Sequence, residues 1–381
     1  FADKKAAIDS GLLLWFPAPA SFTGEDVAEF QVHGGRAVTE ALLQALGRLP
    51  GLRPAEPGEF TRRAVENGRL DLTRAEAIAD LTDAQTQAQR RQALRQYDGV
   101  LADLYEGWRA ALLRASAWAE AGLDFPDEEL PDAMLARIYA LICEIYQQIQ
   151  KHMDDSRRGE LLREGLHLTV IGPPNAGKSS LVNALAGRDL AIVAQTPGTT
   201  RDVIEARMDL GGYPLTIADT AGLRDTEDAI EAEGVRRALA RAQNGGLVLL
   251  LLDGSAPEDF TAPSADLTVW NKADLPWRMP REGLHLSLRT GEGLDALVAA
   301  LTSLVKDRLE SPDEAPALTR PRHRHALEEA RAALEKALAA RQPELLAEDL
   351  RLALRALGRI TGRVDVEELL DVVFRDFCIG K

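Results

Sequence analysis

A glycine-rich octapeptide, Gly172-Pro-Pro-Asn-Ala-Gly177-Lys178-Ser179, has the GxxxxGK[ST] spacing of a phosphate-binding loop. Its glycines allow backbone N–H groups to surround phosphate oxygens, and the N-terminus of a following helix adds partial positive charge. We expect Lys178 to reach the β- and γ-phosphates and the Ser179 hydroxyl to bind Mg²⁺. The pattern therefore predicts a nucleoside triphosphate site. Its contacts are expected at Asn175, Ala176, Gly177, Lys178, Ser179 and Ser180.

A second segment, Asn271-Lys272-Ala273-Asp274, identifies the base of that nucleotide. It follows a predicted strand, and ligands bind at the carboxyl ends of strands in open α/β sheets. The Asp274 carboxylate can accept hydrogen bonds from the N1–H and the exocyclic amine of guanine, whereas adenine offers no such donor pair. Ser287-Leu288-Arg289 follows the next predicted strand and would add backbone contacts to the guanine O6. Together the two segments predict GTP rather than ATP.

Two other segments are suited to sensing the γ-phosphate. Asp219-Thr220-Ala221-Gly222 follows another predicted strand. Asp219 can orient a magnesium-bound water, and the Gly222 amide can meet the γ-phosphate. A hydroxyl of Thr199 or Thr200 can complete the Mg²⁺ coordination when that phosphate is present, which predicts a two-state switch.

The position that often carries a water-orienting glutamine in such enzymes is Leu223, which can neither donate nor accept a hydrogen bond. Hydrolysis is therefore either slow or assisted by another group. The residues alone leave several acidic candidates open. They are Asp225, Glu227, Asp228, Glu231 and Glu233.

The order of predicted elements indicates an α/β domain inserted into a helical one. Residues 1–68 mix short strands and turns, which predicts an N-terminal α+β domain. Helical periodicity covers residues 69–162 and returns in residues 311–381, and we interpret these as two halves of one all-α domain. Residues 163–310 alternate strands and helices, as in a P-loop α/β domain with a mainly parallel sheet.

Individual elements follow from the same patterns. In the N-terminal region we predict strands over 8–16 and 26–32 and a helix over 37–49, closed by Pro50-Gly51. Helices over 231–241 and 366–377 are predicted from their apolar spacing.

Composition limits the class of protein. Lys and Arg total 45 and Asp and Glu total 60, so the net charge of −15 argues against a protein that coats a polyanion. Two cysteines, Cys143 and Cys378, make no disulfide framework, which favours a reducing, cytoplasmic location. The longest apolar run, 247–252, is far shorter than the ~20 residues that span a bilayer, so no membrane association is expected. Because the chain does not begin with Met, we expect a native segment before Phe1.

Several further segments, in the same order along the chain, resemble the MnmE (TrmE) family of tRNA-modifying GTPases. The resemblance covers essentially the whole sequence, and the terminal Cys378-Ile-Gly-Lys381 is its most specific feature. The other segments are Ser21-Phe-Thr-Gly-Glu-Asp-Val27, His33-Gly-Gly35, Pro57-Gly-Glu-Phe60, Asp124-Phe-Pro-Asp-Glu-Glu129, Thr199-Thr-Arg-Asp202 and Asp219-Thr-Ala-Gly-Leu-Arg224.

The resemblance implies a reaction on tRNA. Together with an FAD-dependent partner, MnmG (GidA), the family adds a carboxymethylaminomethyl-type group to C5 of the wobble uridine. A tetrahydrofolate derivative, 5-formyl- or methylene-tetrahydrofolate, supplies the one-carbon unit. The N-terminal domain is implied to bind folate and to form a homodimer, and tRNA contacts are expected largely through the partner.

The resemblance also assigns residues. Folate contacts would fall on Glu29, Arg69 and Lys381, although the family often has Lys where this chain has Arg69; a further basic contact would precede Phe1. The general base would be Glu231, and Cys378 is implied to be functional, although its packing against an apolar helix end is an alternative.

In place of an arginine finger, the resemblance implies a K⁺ ion between facing GTPase domains. Its ligands would be Asn175, Ala194, Thr196 and Thr199, the last three within a loop that also contacts the nucleotide through Gln195, Pro197 and Gly198.

Two other functions share the nucleotide-binding segments. An Era- or Der-type ribosome-assembly GTPase would be expected to carry a basic RNA-binding module, which is not evident in the sequence. A scaffold that uses GTP only to change conformation would not need the terminal cysteine or the folate-like N-terminal region.

Overall fold

The structure is a computed structural model that describes residues 2–3, 6–124, 132–155, 157–188, 205–218, 245–256, 264–277, 283–310, 316–364, 370 and 373–374. The chain divides into two compact units. Unit 1 comprises residues 1–79, 96–146 and 326–381, and unit 2 comprises residues 80–95 and 147–325. The domain boundaries predicted from the sequence stay predictions.

Unit 1 begins with small strands and continues with helices. Its strands are β1 (Ala2–Asp3), β2 (Ala6–Ala7), β3 (Leu12–Phe16) and β4 (Val27–Gln31), which pair antiparallel as β1 with β2 and β3 with β4. The helices that begin within unit 1 are α1 (Arg36–Leu46), α2 (Glu59–Glu66), α3 (Leu72–Asp83), α5 (Val100–Asp124), α6 (Asp132–Met153) and α11 (Pro343–Thr361).

Helices α5 and α11 make extensive contact within unit 1. Fully buried side chains such as Leu112 and Ala115 on α5 and Leu350 and Ala353 on α11 allow close packing of their apolar faces. The Thr361 hydroxyl also donates to the Glu106 carboxylate, with Oγ1 3.0 Å from Oε1. This pairing joins the two helical blocks that are far apart in sequence, as the predicted split helical domain requires.

Unit 2 contains a six-stranded sheet in the order β10-β9-β8-β5-β7-β6. All neighbouring pairs are parallel except β6 with β7. Its strands are β5 (Leu166–Ile171), β6 (Glu205–Leu210), β7 (Tyr213–Ala218), β8 (Leu247–Asp253), β9 (Leu267–Asn271) and β10 (Leu284–His285). The remaining helices are α4 (Gln87–Tyr97), α7 (Arg158–Glu164), α8 (Lys178–Ala186), α9 (Leu294–Leu309) and α10 (Pro321–Ala339).

The core of unit 2 explains why the sequences of its central strands are continuous apolar runs. Leu168 and Val170 of β5 and Leu249 and Leu251 of β8 are at most 1% exposed and belong to one apolar cluster with Leu297 of α9. Strands covered on both faces lose the polar alternation of half-exposed strands. The predicted multidomain class with an inserted P-loop α/β domain is confirmed.

Some predicted elements differ at their ends. The strand predicted from residue 8 begins at Leu12, and the helix predicted to reach residue 49 ends at Leu46. After Leu46 the chain continues in a tighter turn, where the Leu49 N–H donates to the Leu46 carbonyl at 2.9 Å. The helix predicted over 231–241, and nearly all of that over 366–377, lie outside the described residues. No helix in the described part of the chain has the length and apolar character to cross a membrane.

Candidate nucleotide-binding site

The predicted phosphate-binding loop connects β5 to α8 at the carboxyl edge of the sheet. Gly172 has φ of +149°, and a Cβ there would overlap the carbonyl oxygen of Leu251 on the adjacent strand. Gly177, just before α8, has φ of +104°, and a Cβ there would lie 2.5 Å from Nδ2 of Asn271. Both positions therefore require glycine, for backbone conformation and for close approach.

Lys178, the first residue of α8, folds its side chain back across this loop. Its Nζ donates to the carbonyl oxygens of Gly172 at 2.6 Å and Pro173 at 2.9 Å. The ammonium group therefore lies over the loop where phosphates are predicted to bind. Ser179 is half-buried in the first turn of α8, while Ser180 beside it is exposed.

Asn175 and Ala176 form the tip of the loop. Asn175 is exposed and has φ of +60°, a left-handed conformation that asparagine tolerates better than most residues. Ala176 is fully buried beneath it. The tip thus presents the Asn175 side chain to solvent while anchoring the loop to the core.

Asn271 joins the phosphate loop to the predicted base-binding segments. Its Nδ2 donates to the Ala176 carbonyl at 2.7 Å, and its Oδ1 accepts from the Leu288 N–H at 3.2 Å. The side chain is 4% exposed, so both bonds are shielded from water. Residues that are far apart in the sequence thus form one continuous site.

Asp274 is held as a hydrogen-bond acceptor. The Ser287 hydroxyl donates to its Oδ1 at 2.6 Å, and Nη2 of Arg289 lies 2.8 Å from its Oδ2. The bond from Ser287 lowers the pKa of Asp274 more than partial burial raises it, and Arg289 lowers it further. Asp274 is therefore ionised at neutral pH, the state needed to accept hydrogen bonds from guanine.

A neighbouring ion pair was not expected from the sequence. Nζ of Lys272 lies 2.5 Å from Oδ2 of Asp253, the last residue of β8. The position of Asp253 in the sequence could have marked it as a candidate site residue. It directly follows an apolar run that predicts a buried strand, and ligands bind at the carboxyl ends of such strands.

Replacing Asp274 with Asn is expected to weaken GTP binding by ~1–3 kcal/mol, because an amide nitrogen takes the place of an acceptor that faces the two donors of guanine. Xanthosine triphosphate carries a carbonyl in place of the exocyclic amine, so it should bind this variant better than it binds the original protein. Titration calorimetry with both nucleotides measures the change. Unchanged GTP affinity would place the base elsewhere.

The structure places two of the folate candidates, both on unit 1. Glu29 is exposed on β4, opposite Leu14 of β3. Arg69 is exposed just after α2, and its Cγ lies 3.1 Å from where a Cβ on Gly24 would stand. They lie on separate elements of the same unit.

Other predicted site residues lie outside the described residues, and their positions stay predictions. They are Ala194, Gln195, Thr196, Pro197, Gly198, Thr199, Thr200, Asp219, Thr220, Ala221, Gly222, Glu231, Cys378 and Lys381.

Comparison with known families gives matches along nearly the whole chain. A family model described as the MnmE helical domain matches residues 72–378, and one described as the GTP-binding protein TrmE N-terminus matches residues 1–69.

Curated relatives match over the same extent. A tRNA modification GTPase MnmE from Parvibaculum lavamentivorans is 58% identical over 100% of this chain and 88% of its own length. The protein of the same name from Rhodospirillum rubrum is 59% identical over 98% of this chain and 85% of its own length. Among solved structures, the G domain of the T. maritima FeoB iron transporter is 24% identical over 38% of this chain and 99% of its own, with a TM-score of 0.29.

Proposed function

The chain belongs to the MnmE (TrmE) family of tRNA modification GTPases, and we propose that it binds and hydrolyses GTP in the course of modifying tRNA. The observation that supports this most directly is the pair of hydrogen bonds made by the Asn271 side chain. This side chain bonds to the phosphate loop through Ala176 and to the Leu288 backbone beside the ionised Asp274. These bonds connect a loop suited to binding phosphate with a carboxylate suited to accepting from guanine, which supports the proposal.

The finer part of the proposal is the reaction itself. We propose that the protein acts with an FAD-dependent partner, MnmG, to add a carboxymethylaminomethyl-type group at C5 of the wobble uridine of certain tRNAs. A tetrahydrofolate derivative would supply the one-carbon unit. Family membership supports this reaction, and the proposed folate contacts are Glu29, Arg69 and Lys381.

The experiment is an analysis of tRNA nucleosides by mass spectrometry in cells lacking the protein. The modified wobble uridine should disappear, return with the original gene, and fail to return with the Asp274→Asn variant. Normal tRNA modification together with accumulation of ribosomal RNA precursors would instead support an Era- or Der-type function in ribosome assembly.

The residues of the phosphate loop suit the proposed cations. Mg²⁺ prefers oxygen ligands, and the Ser179 hydroxyl in the first turn of α8 would hold it together with Thr200. K⁺ would be held by the exposed Asn175 side chain and by Ala194, Thr196 and Thr199. When bound, these ions supply positive charge beside the phosphates.

The chain's own groups would perform the remaining work. Lys178 would exchange its bonds to the Gly172 and Pro173 carbonyls for bonds to phosphate oxygens. Glu231 would accept a proton from the attacking water. Homodimer formation would bring two GTPase domains face to face, and tRNA would be contacted largely through MnmG.

Hydrolysis is expected to be faster in KCl than in NaCl at equal ionic strength, because Na⁺ is too small for the same set of ligands. Asn175→Gly should reduce the difference, since glycine keeps the left-handed backbone at φ +60° but removes the amide oxygen. Phosphate release measured in both salts tests this. Asn183→Ala is the matched control, because it removes an exposed amide on α8, outside the loop that carries Asn175. Equal rates of the original protein in both salts would exclude K⁺ from the mechanism.

A further inference from the structure

The Asp253 carboxylate is fixed through both of its oxygens. Oδ1 accepts from the Ser255 N–H at 2.9 Å and from the Ser255 hydroxyl at 2.6 Å. Oδ2 accepts from Nζ of Lys272 at 2.5 Å. The Asp253 side chain is only 12% exposed, so these bonds are largely shielded from water.

Lys272 needs such a restraint. It lies between Asn271, which bonds to the phosphate loop, and Asp274, the predicted guanine acceptor. Its backbone has φ of +63°, a conformation that costs a side-chain-bearing residue free energy, and its long side chain has high rotational entropy. A fixed anion that binds the end of this side chain limits the rotation of the side chain and favours the observed backbone conformation.

The backbones around the pair are also packed together. Asp253 is in register with Asn271 across the parallel β8–β9 pair, and the Gly254 N–H donates to the Asn271 carbonyl at 2.9 Å. A Cβ on Gly254 would overlap the Trp277 ring, so the turn after β8 lies directly against the segment after β9. Movement of Asp253 would therefore be transmitted to the residues that bind the base.

Charge strengthens the arrangement. Burial raises the pKa of Asp253, but hydrogen bonds from Lys272 and Ser255 outweigh it and leave the pKa below its usual value. The carboxylate is thus ionised at neutral pH and faces an ammonium group, which makes the bond a charge-assisted one.

We propose that Asp253 is a positioning residue of the nucleotide site, which acts by holding Lys272 in place before a guanine nucleotide binds. This inference rests on the proposed GTP binding. Ordering Lys272 in the free protein reduces the entropy lost when the nucleotide binds, and the benefit disappears when the anion is removed.

The test is a double-mutant cycle on GDP affinity, measured by titration calorimetry on the full chain. Asp253→Asn keeps the shape and removes the charge, and it should weaken GDP about tenfold. In a Lys272→Met background the same change should have no further effect, because Asp253 acts through Lys272. The kcat at saturating GTP should stay near that of the original protein.

Asp266→Asn is the matched control. Asp266 accepts from the Val248 N–H at 2.8 Å and pairs with Arg308 at 3.0 Å, near the amino ends of the same two strands. Its substitution removes a similar set of bonds far along the strands from the base-binding segments, and GDP affinity should be unchanged.

The outcomes separate the alternatives. Unchanged GDP affinity in Asp253→Asn, additive losses in the double variant, or an equal loss in Asp266→Asn would each overturn the positioning role. If Asp253→Asn fails to fold, Ser255→Ala serves instead, with a smaller loss of affinity expected and the same additivity test. Failure of the original protein to bind GDP would overturn the proposed GTP binding itself.

Discussion

Replacement of Glu231 by Ala is expected to slow GTP hydrolysis by ~10²–10⁴-fold, the usual cost of losing a positioned general base. The reason lies in the sequence: Leu223 stands where a water-orienting glutamine is often found, so a different group must activate the water. GTP affinity should change little, because the contacts of Lys178 and Asp274 are left intact. The expected result is a fall in kcat with a nearly constant Kd, measured in KCl.

Glu233→Ala is the matched control, since it removes the same functional group two residues away in the same acidic segment. It should hydrolyse GTP at nearly the original rate. Near-normal turnover by Glu231→Ala would contradict the assignment, and Asp225 or Glu227 would become the next candidates. An equal loss in both variants would indicate that the segment acts through its total charge.

The central strands of unit 2 were predictable because burial on both faces leaves runs such as Leu247–Leu251 with no polar interruption. Strand β6 gives a weaker signal in the sequence because it is short and lacks a continuous apolar run. It lies at the edge of the sheet, and its apolar residues Met208 and Leu210 alternate with charged ones over a short segment. The signal that could have found it is Gly211-Gly212, a dipeptide typical of a turn between paired antiparallel strands.

The chemistry of the candidate site could be predicted further than its geometry. Spacing alone was enough to predict roles for Lys178 and Asp274, because each belongs to a short local pattern. The bonds from Asn271 to Ala176 and from Lys272 to Asp253 depend instead on the order of β5, β8 and β9 in the sheet. No local pattern records that order, so contacts between distant segments required the structure.

Gly172→Ala is expected to destabilise unit 2 by about 2–5 kcal/mol, since it combines backbone strain with overpacking. At φ of +149° an alanine is strained, and its Cβ would overlap the Leu251 carbonyl oxygen. Residues just before Gly172 pair with β8 in the middle of the sheet, with Ile171 opposite Leu250, so neither backbone can move aside cheaply. Because the phosphate loop begins at Gly172, the affinity for GDP should decrease as well as the stability.

Gly291→Ala separates strain from overlap. Gly291 also has a positive φ, +82°, but a Cβ there would have no atom within 4 Å, so only the strain of about 1 kcal/mol is expected. Scanning calorimetry with and without GDP measures both variants, and the transition that GDP raises identifies unfolding of the nucleotide-binding unit. A similar loss in the two variants would show that backbone conformation, rather than the close approach to Leu251, is what requires glycine at Gly172.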